Sequence, residues 1–91
     1  MTKDNVFLAL QVNDETRPLV QAIEQDNPNA RVTSMPALLR IDAPGRLIVK
    51  RETVEAITGR PWDMQRIHIN LISLSGHVDE TEEHFAIAWR H

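Results

Sequence analysis

Short apolar runs separated by turn residues are the feature that most constrains the fold of this chain. Large apolar side chains recur at every second position in residues 6–12, 67–71 and 85–89. This spacing is typical of strands that bury one face. Because the runs are short and are joined by brief turn segments, they favour antiparallel pairing over the long crossovers that parallel strands need. We therefore predict a mostly antiparallel sheet.

Two segments have helical rather than strand spacing. The first is capped by Thr16, places Pro18 in its first turn, where a missing N–H is harmless, and ends in residues 26–29. The second runs over residues 51–58 and stops at Gly59, a residue suited to the left-handed conformation that ends many helices.

The remaining segments complete the predicted order of elements. Residues 31–34 predict a short strand, and residues 37–50 predict a β-hairpin that turns at its central Pro-Gly pair. Residues 73–79 predict a loop around Gly76. The resulting order is β-α-β-β-β-α-β-β, an α+β fold with two short helices in one small domain spanning residues 1–91.

Two short helices cover only one face of such a sheet. Phe7 and Ala9 make the first strand apolar on both faces. The uncovered face is therefore either a surface for a partner or a surface over which loops fold. Trp62 and Trp89 lie at the edges of regular elements, and we expect both in the core.

Composition removes several classes of function. The chain has no cysteine, which excludes disulfides and iron–sulfur clusters and gives no reason to expect an oxidising compartment. A net charge of −3 provides no basic surface for nucleic acid. No segment resembles a signal peptide or approaches the roughly 20 apolar residues of a membrane span. We expect a cytoplasmic protein that binds neither nucleic acid nor membranes.

The charges are unevenly distributed along the chain. Basic residues lie in the middle, at Arg40, Arg46, Lys50, Arg51 and Arg60. Acidic residues crowd a short stretch near the end, at Asp79, Glu80, Glu82 and Glu83. This separation suits orientation against a charged protein surface. Ordinary solvated loops would produce the same pattern.

Residues able to do chemistry do not form a recognisable site. The four histidines are spaced 9, 7 and 7 residues apart, which matches no compact metal-binding motif, at His68, His77, His84 and His91. Ser73 or Ser75 with His77 and Asp79 has the composition of a nucleophilic triad. These residues share one predicted loop, however, and lack the separate rigid supports that hold such a triad in place. We expect no catalytic, metal or cofactor site, and a protein that binds rather than transforms.

Three stretches of the chain resemble one known family. They are the segment MPALLRIDAPGRL at residues 35–47, GRPWD followed by IH at residues 59–68, and LISLSGHVDE at residues 71–80 with a closing Phe-x-x-x-Trp. In this order, and over nearly the whole chain, they resemble the effector proteins of multicomponent phenol hydroxylases, a group related to the regulatory protein of soluble methane monooxygenase. Ser75 departs from the family pattern, in which a small apolar residue is expected.

The resemblance implies a regulatory protein without catalysis of its own. Such effectors carry no cofactor and bind the hydroxylase component, which holds a carboxylate-bridged di-iron centre and receives electrons from NADH through a reductase. They raise turnover and the coupling of reductant use to hydroxylation. The alternative is a stand-alone interaction module or homodimer that uses the uncovered sheet face, and weak self-association of the free chain stays open.

Two segments are the predicted contact surface for the hydroxylase. One is the basic hairpin, and the other is the loop around Gly76, whose small side chains would let another backbone approach closely. The predicted contact residues are Arg40, Arg46, Ser73, Ser75, Gly76, His77 and Val78.

Overall fold

Two small antiparallel sheets form the framework of the molecule. A computed structural model describes residues 5–89. In that range the elements are β1 Asn5–Gln11, α1 Thr16–Asp26, β2 Arg31–Met35, β3 Leu38–Pro44, β4 Arg46–Lys50, α2 Arg51–Thr58, α3 Arg66–Asn70, β5 Leu71–Ser75, β6 His77–Glu80 and β7 His84–Ala88. The predicted α+β class is confirmed, and the bounds of α2 agree with the prediction. None of the helices within 5–89 is both long and apolar enough to cross a membrane.

The strands divide between a four-stranded sheet and a three-stranded sheet. The orders are β2-β3-β1-β5 and β4-β7-β6, and every pairing is antiparallel. The predicted hairpin over residues 37–50 is wrong, because β3 and β4 lie in different sheets. Gly45, with a φ of 77°, turns the chain from one sheet into the other, and Gly76, with a φ of 132°, does the same between β5 and β6. The loop predicted at residues 73–79 is therefore two strands that meet at a corner.

The core lies between the inner faces of the two sheets and α1. Alternation along β1 places Leu8 and Leu10 inside, as the sequence predicts. The other fully buried large side chains come from every part of the chain, namely Leu19, Ile23, Ile41, Leu47, Val49, Val54, Ile67, Phe85 and Ile87, with Val6 at the start of β1. The two longer helices pack against each other, and α1 also packs on β4.

Both ends of α1 are fixed by asparagine side chains. The carboxamide oxygen of Asn13 accepts the backbone N–H groups of Glu15 and Thr16, each at 3.0 Å, which satisfies two amides that have no partner within the helix. At the other end, Asn27 donates to the carbonyl oxygens of Ile23 and Ile48, each at 2.7 Å, and accepts the Ile48 N–H at 2.9 Å. Asn27 thus joins the end of α1 to the edge of β4 that β7 does not pair.

The strand predicted at residues 67–71 is instead the short helix α3. Its first turn is closed by backbone bonds from Arg66, Ile67 and His68 to the carbonyl oxygens three residues earlier, at 2.9, 3.1 and 3.1 Å. Met64 and Ile67 are both buried and are three residues apart, which is the spacing of one helix face. The sequence also contains the alternating pattern of a strand, but the segment folds as a helix up to Asn70, and the strand β5 begins at Leu71.

A polar network attaches α3 to the start of α1. Asn70 is almost fully buried, accepts a hydrogen bond from the Asn13 side chain at 2.8 Å and donates one to Glu15 at 2.8 Å. Arg66 donates two bonds to the same carboxylate, at 2.6 and 3.1 Å. The hydrogen bond from Arg66 is the main reason that the pKa of Glu15 lies below its ordinary value, with a further contribution from Asn70 and partial burial acting against both.

We expect the Glu15 carboxylate to stabilise the fold at neutral pH. Because its pKa is lowered on folding, its contribution is complete above the ordinary value of 4.5 and is lost as pH falls through the folded pKa. Glu15→Gln should reduce the free energy of unfolding at pH 7 by about 1 kcal/mol, and the difference from wild type should shrink below pH 4.5. Urea unfolding at several pH values measures this. Glu24→Gln, on the exposed side of α1, is the control, and a Glu15→Gln deficit that is equal at pH 7 and pH 3 would contradict it.

Gly76 is the corner at which the structure tolerates no side chain. A Cβ atom built there collides with Ile87 Cγ2 and lies 3.1 Å from Val6 Cγ1, whereas one built at Gly45 meets nothing within 4 Å. We expect Gly45→Ala to cost about 1 kcal/mol through its left-handed backbone alone. Gly76→Ala should cost at least 3 kcal/mol, roughly, because it adds overpacking to backbone strain. Thermal unfolding compares the two variants, and equal losses would show that the collision does not matter.

Candidate docking surface

A flat region of small side chains lies on the outer face of the four-stranded sheet. In the strand register Ala9 of β1 stands between Ser73 on β5 and Arg40 on β3. Ala9 alternates with the core residues Leu8 and Leu10, so this row faces away from the core, but Ala9 itself is only 5% exposed, whereas Ser73 is exposed. The serine side chains at Ser73 and Ser75 extend little beyond the backbone, and another protein surface can therefore approach this strand of the sheet closely.

Arg40 lies flat on this face and is held there from two sides. Its guanidinium carbon is 3.9 Å from the centre of the Phe7 ring, a cation–π contact. Its Nε donates to both carboxylate oxygens of Asp42, at 3.2 and 3.1 Å, and its Nη2 donates at 3.1 Å. The Arg40 side chain is still 38% exposed, so a partner carboxylate can reach a guanidinium that is already oriented.

Trp89 marks the rim at which the two sheets adjoin. Its indole N–H donates to the carbonyl oxygen of Asn5 at 3.0 Å, and its ring meets the His77 ring edge-on at 6.1 Å. The prediction that Trp89 lies in the core is wrong, since the residue is 38% exposed. It comes directly after β7, where the strand leaves the core and the indole N–H needs a polar partner. Trp62 is partly buried against the core.

These contacts connect the outer faces of the two sheets. The carboxamide of Asn5, whose carbonyl oxygen binds Trp89, donates to Asp42 at 3.2 Å, and Asp42 in turn holds Arg40. We call this connected set the docking strip, and its members are Phe7, Arg40, Asp42, Asn5, Trp89 and His77. The Arg40–Asp42 pair was not predicted, although two residues on the same face of one strand, two positions apart, are the signal that would have found it.

The structure divides the seven predicted contact residues into two groups. Arg40, Ser73 and Ser75 lie on the outer face of the four-stranded sheet. Arg46, His77 and Val78 line a shallow depression of about 330 Å³ on the three-stranded sheet, next to Trp89. Gly76 lies at the corner between the groups, and its missing side chain makes room for Ile87 and Val6 of the chain's own core. The close approach of a partner backbone at Gly76 stays a prediction.

The acidic stretch near the end of the chain is exposed, as expected, but most of it is paired. Glu83 accepts a bond from Arg51 at 2.7 Å, Glu80 contacts His68 at 2.7 Å, and Asp79 lies 3.5 Å from His84. The separation of charge along the sequence is thus partly cancelled in space.

The histidines do not come together as a metal-binding or catalytic group within residues 5–89. The His68 ring packs edge-on against Phe85, with 5.9 Å between the ring centres. Within residues 5–89 no group of three or more histidine, aspartate or glutamate side chains is arranged to hold a metal ion, and His91 lies outside the described residues. Ser75 and His77 lie on different sheets, on either side of the Gly76 corner.

Comparison with known proteins agrees with this architecture. The profile of the MmoB/DmpM family matches residues 4–88. The stimulatory component DmpM of phenol 2-monooxygenase from Pseudomonas sp. (strain CF600) is 46% identical over 85 residues, which are 93% of this chain and 94% of that protein. A chain in the solved structure of a complex between phenol hydroxylase and its regulatory protein superposes with a TM-score of 0.90 at 45% identity, covering 94% of this chain and 99% of that one. The soluble methane monooxygenase regulatory protein B shares the fold, with a TM-score of 0.75 at 21% identity over 99% of this chain and 68% of its own.

Proposed function

The chain belongs to the MmoB/DmpM family, and from this we propose that it is the effector component of a multicomponent phenol monooxygenase. It binds the hydroxylase component and raises both the turnover and the coupling of reductant use to hydroxylation. It performs no catalysis itself and needs no cofactor. Residues 1–91 form one effector domain, and the protein acts in the cytoplasm.

The observation that carries this proposal is the near full-length match to a stimulatory component. The identity is 46% and the match covers 93% of this chain and 94% of the relative's length. The match to a chain from a hydroxylase–regulatory protein complex supports a fold that is used for docking on a hydroxylase.

We propose that the docking strip and the small-residue region beside it contact the hydroxylase. A standard interface buries about 800 Å² on each partner, roughly one seventh of the 5708 Å² that the described chain exposes. The strip alone is too narrow for this, so the interface extends over Ser73 and Ser75 on one side and the depression beside Arg46 on the other. Trp89 and Arg40 are the residue types that most often dominate binding energy.

Preorganisation explains how a small surface can have a large effect. Phe7 and Asp42 hold Arg40 in place before binding, so little side-chain entropy is lost when the complex forms. The effector changes the hydroxylase only through unequal affinity for two of its conformations, and about 1.4 kcal/mol of difference changes their ratio tenfold. A rigid docking surface discriminates between such conformations better than a flexible one, because it cannot adapt to both.

We expect the chain to stimulate its hydroxylase in a reconstituted reaction. Purified hydroxylase and reductase are given phenol and NADH, and hydroxylated product and NADH consumption are measured with increasing amounts of the chain. Both the rate and the product formed per NADH should rise and then saturate. An unchanged rate and coupling with the cognate hydroxylase would contradict the proposed function. Sedimentation of the chain alone shows whether self-association competes with docking.

We expect Arg40→Ala to weaken binding to the hydroxylase about tenfold, since a central arginine of an interface typically contributes 1–2 kcal/mol, roughly. Isothermal titration measures the affinity, and circular dichroism checks the fold. Arg17→Ala is the matched control, because its side chain is 74% exposed on α1 and lies outside the docking strip. Equal affinity of the two variants would exclude Arg40 from the interface.

A further inference from the structure

A groove with an aromatic floor lies between α2, the segment that leads into α3, and the turn between β6 and β7. Its volume is about 840 Å³, and it shares no lining residue with the docking strip. Trp62 and Met64 are its large apolar side chains. Met64 is 3% exposed and Trp62 packs against the core, so this floor is part of the folded framework.

Trp62 is fixed in position by the helix beside it. Its backbone N–H donates to the Glu55 carboxylate at 2.8 Å, which joins the segment after α2 to the helix itself. The Glu55 carboxylate is also 4.0 Å from Arg51. This bond fixes the Trp62 backbone, and the side chain both lines the groove and packs against the core.

The walls of the groove carry a strong excess of negative charge. Four carboxylates line it, from Glu55, Asp63, Glu80 and Glu82, against one guanidinium, that of Arg51; Glu80 also contacts His68, outside the lining, at 2.7 Å. Arg51 already forms an ion pair, at 2.7 Å, with Glu83, which does not line the groove. The potential inside the groove is thus negative, and it attracts a cation and repels a phosphate or another carboxylate.

An aromatic floor with acidic walls fits a planar organic cation. A guanidinium stacks on an indole ring while its edges donate hydrogen bonds to carboxylates, whereas a small metal ion needs several ligands that converge on one point. No such convergent group occurs within residues 5–89. From this charge complementarity we propose that the groove binds a basic segment of the hydroxylase component, with an arginine side chain against Trp62.

This inference rests on the proposed function and adds to it. The docking strip offers a fixed guanidinium, whereas the groove accepts one, so the two surfaces require opposite charges on the partner. Together they define the orientation of the effector, because a rotated effector would place like charges against each other.

Charge reversal at the groove tests the inference. Glu82→Lys changes an exposed residue of the lining, and Glu24→Lys makes the same change in net charge at an exposed position of α1. Titration against the hydroxylase at low salt should show at least a tenfold weaker affinity for Glu82→Lys, and a change of less than twofold for Glu24→Lys. The loss should diminish as salt is raised. Dispersion of the amide NMR signals checks that both variants remain folded.

The outcomes separate the two proposals. If the wild-type chain binds and both variants bind equally well, the groove is not a contact and the effector function stands. If the wild-type chain does not bind its hydroxylase, both proposals fail. A second readout uses the ¹⁵N-labelled chain and a tetra-arginine peptide as the basic probe. The Trp62 indole signal should shift during the titration and the Trp89 indole signal should not, and the reverse pattern would overturn the assignment.

Discussion

The contact of Gly76 with Ile87 and Val6 is the constraint on which the arrangement of both sheets depends. The chain passes from β5 into β6 at this point with no side chain between the backbone and the core. Because the crossing is so close, the outer faces of the sheets meet at one rim, where Asn5 links Trp89 to Asp42. A looser corner would separate these residues, and the two halves of the docking strip would no longer form one surface.

Several elements could be predicted because local signals agreed with the tertiary structure. Gly59 ends α2 in the left-handed conformation, and its N–H bonds to the Glu55 carbonyl oxygen at 2.8 Å. The start of α1 is predicted to within one residue, but the predicted cap at Thr16 is wrong, because Thr16 is the first helical residue and Asn13 accepts its N–H. The strand predicted at residues 67–70 was wrong because the alternating spacing of a strand and the spacing of a helix coincide there. The helix is favoured by the burial of Asn70 against Asn13 and Glu15, which lie more than fifty positions away in the sequence. The two sheet corners were not predicted because a glycine, after Pro44 in one case and after Ser75 in the other, signals a change of direction without specifying which strands pair afterwards.

The candidate surface was predictable only in part, for a related reason. Arg40, the serines and His77 could be selected as exposed polar or small residues of strands and turns. That Phe7 also holds Arg40 depends on the strand register, which places β1 and β3 side by side. The groove was not predicted, since its floor and its walls come from segments about twenty positions apart, and only folding brings Trp62 near Glu82.

The hydrogen bonds of Asn27 protect part of an exposed sheet edge from pairing with another copy of the chain. A strand at the margin of a sheet exposes amide and carbonyl groups that can recruit a neighbouring polypeptide into a growing ladder. At Ile48 both of these groups are already occupied by one carboxamide from the end of α1. A single side chain therefore occupies the middle of this outer strand, so that a neighbouring polypeptide would have to displace it before it could pair there.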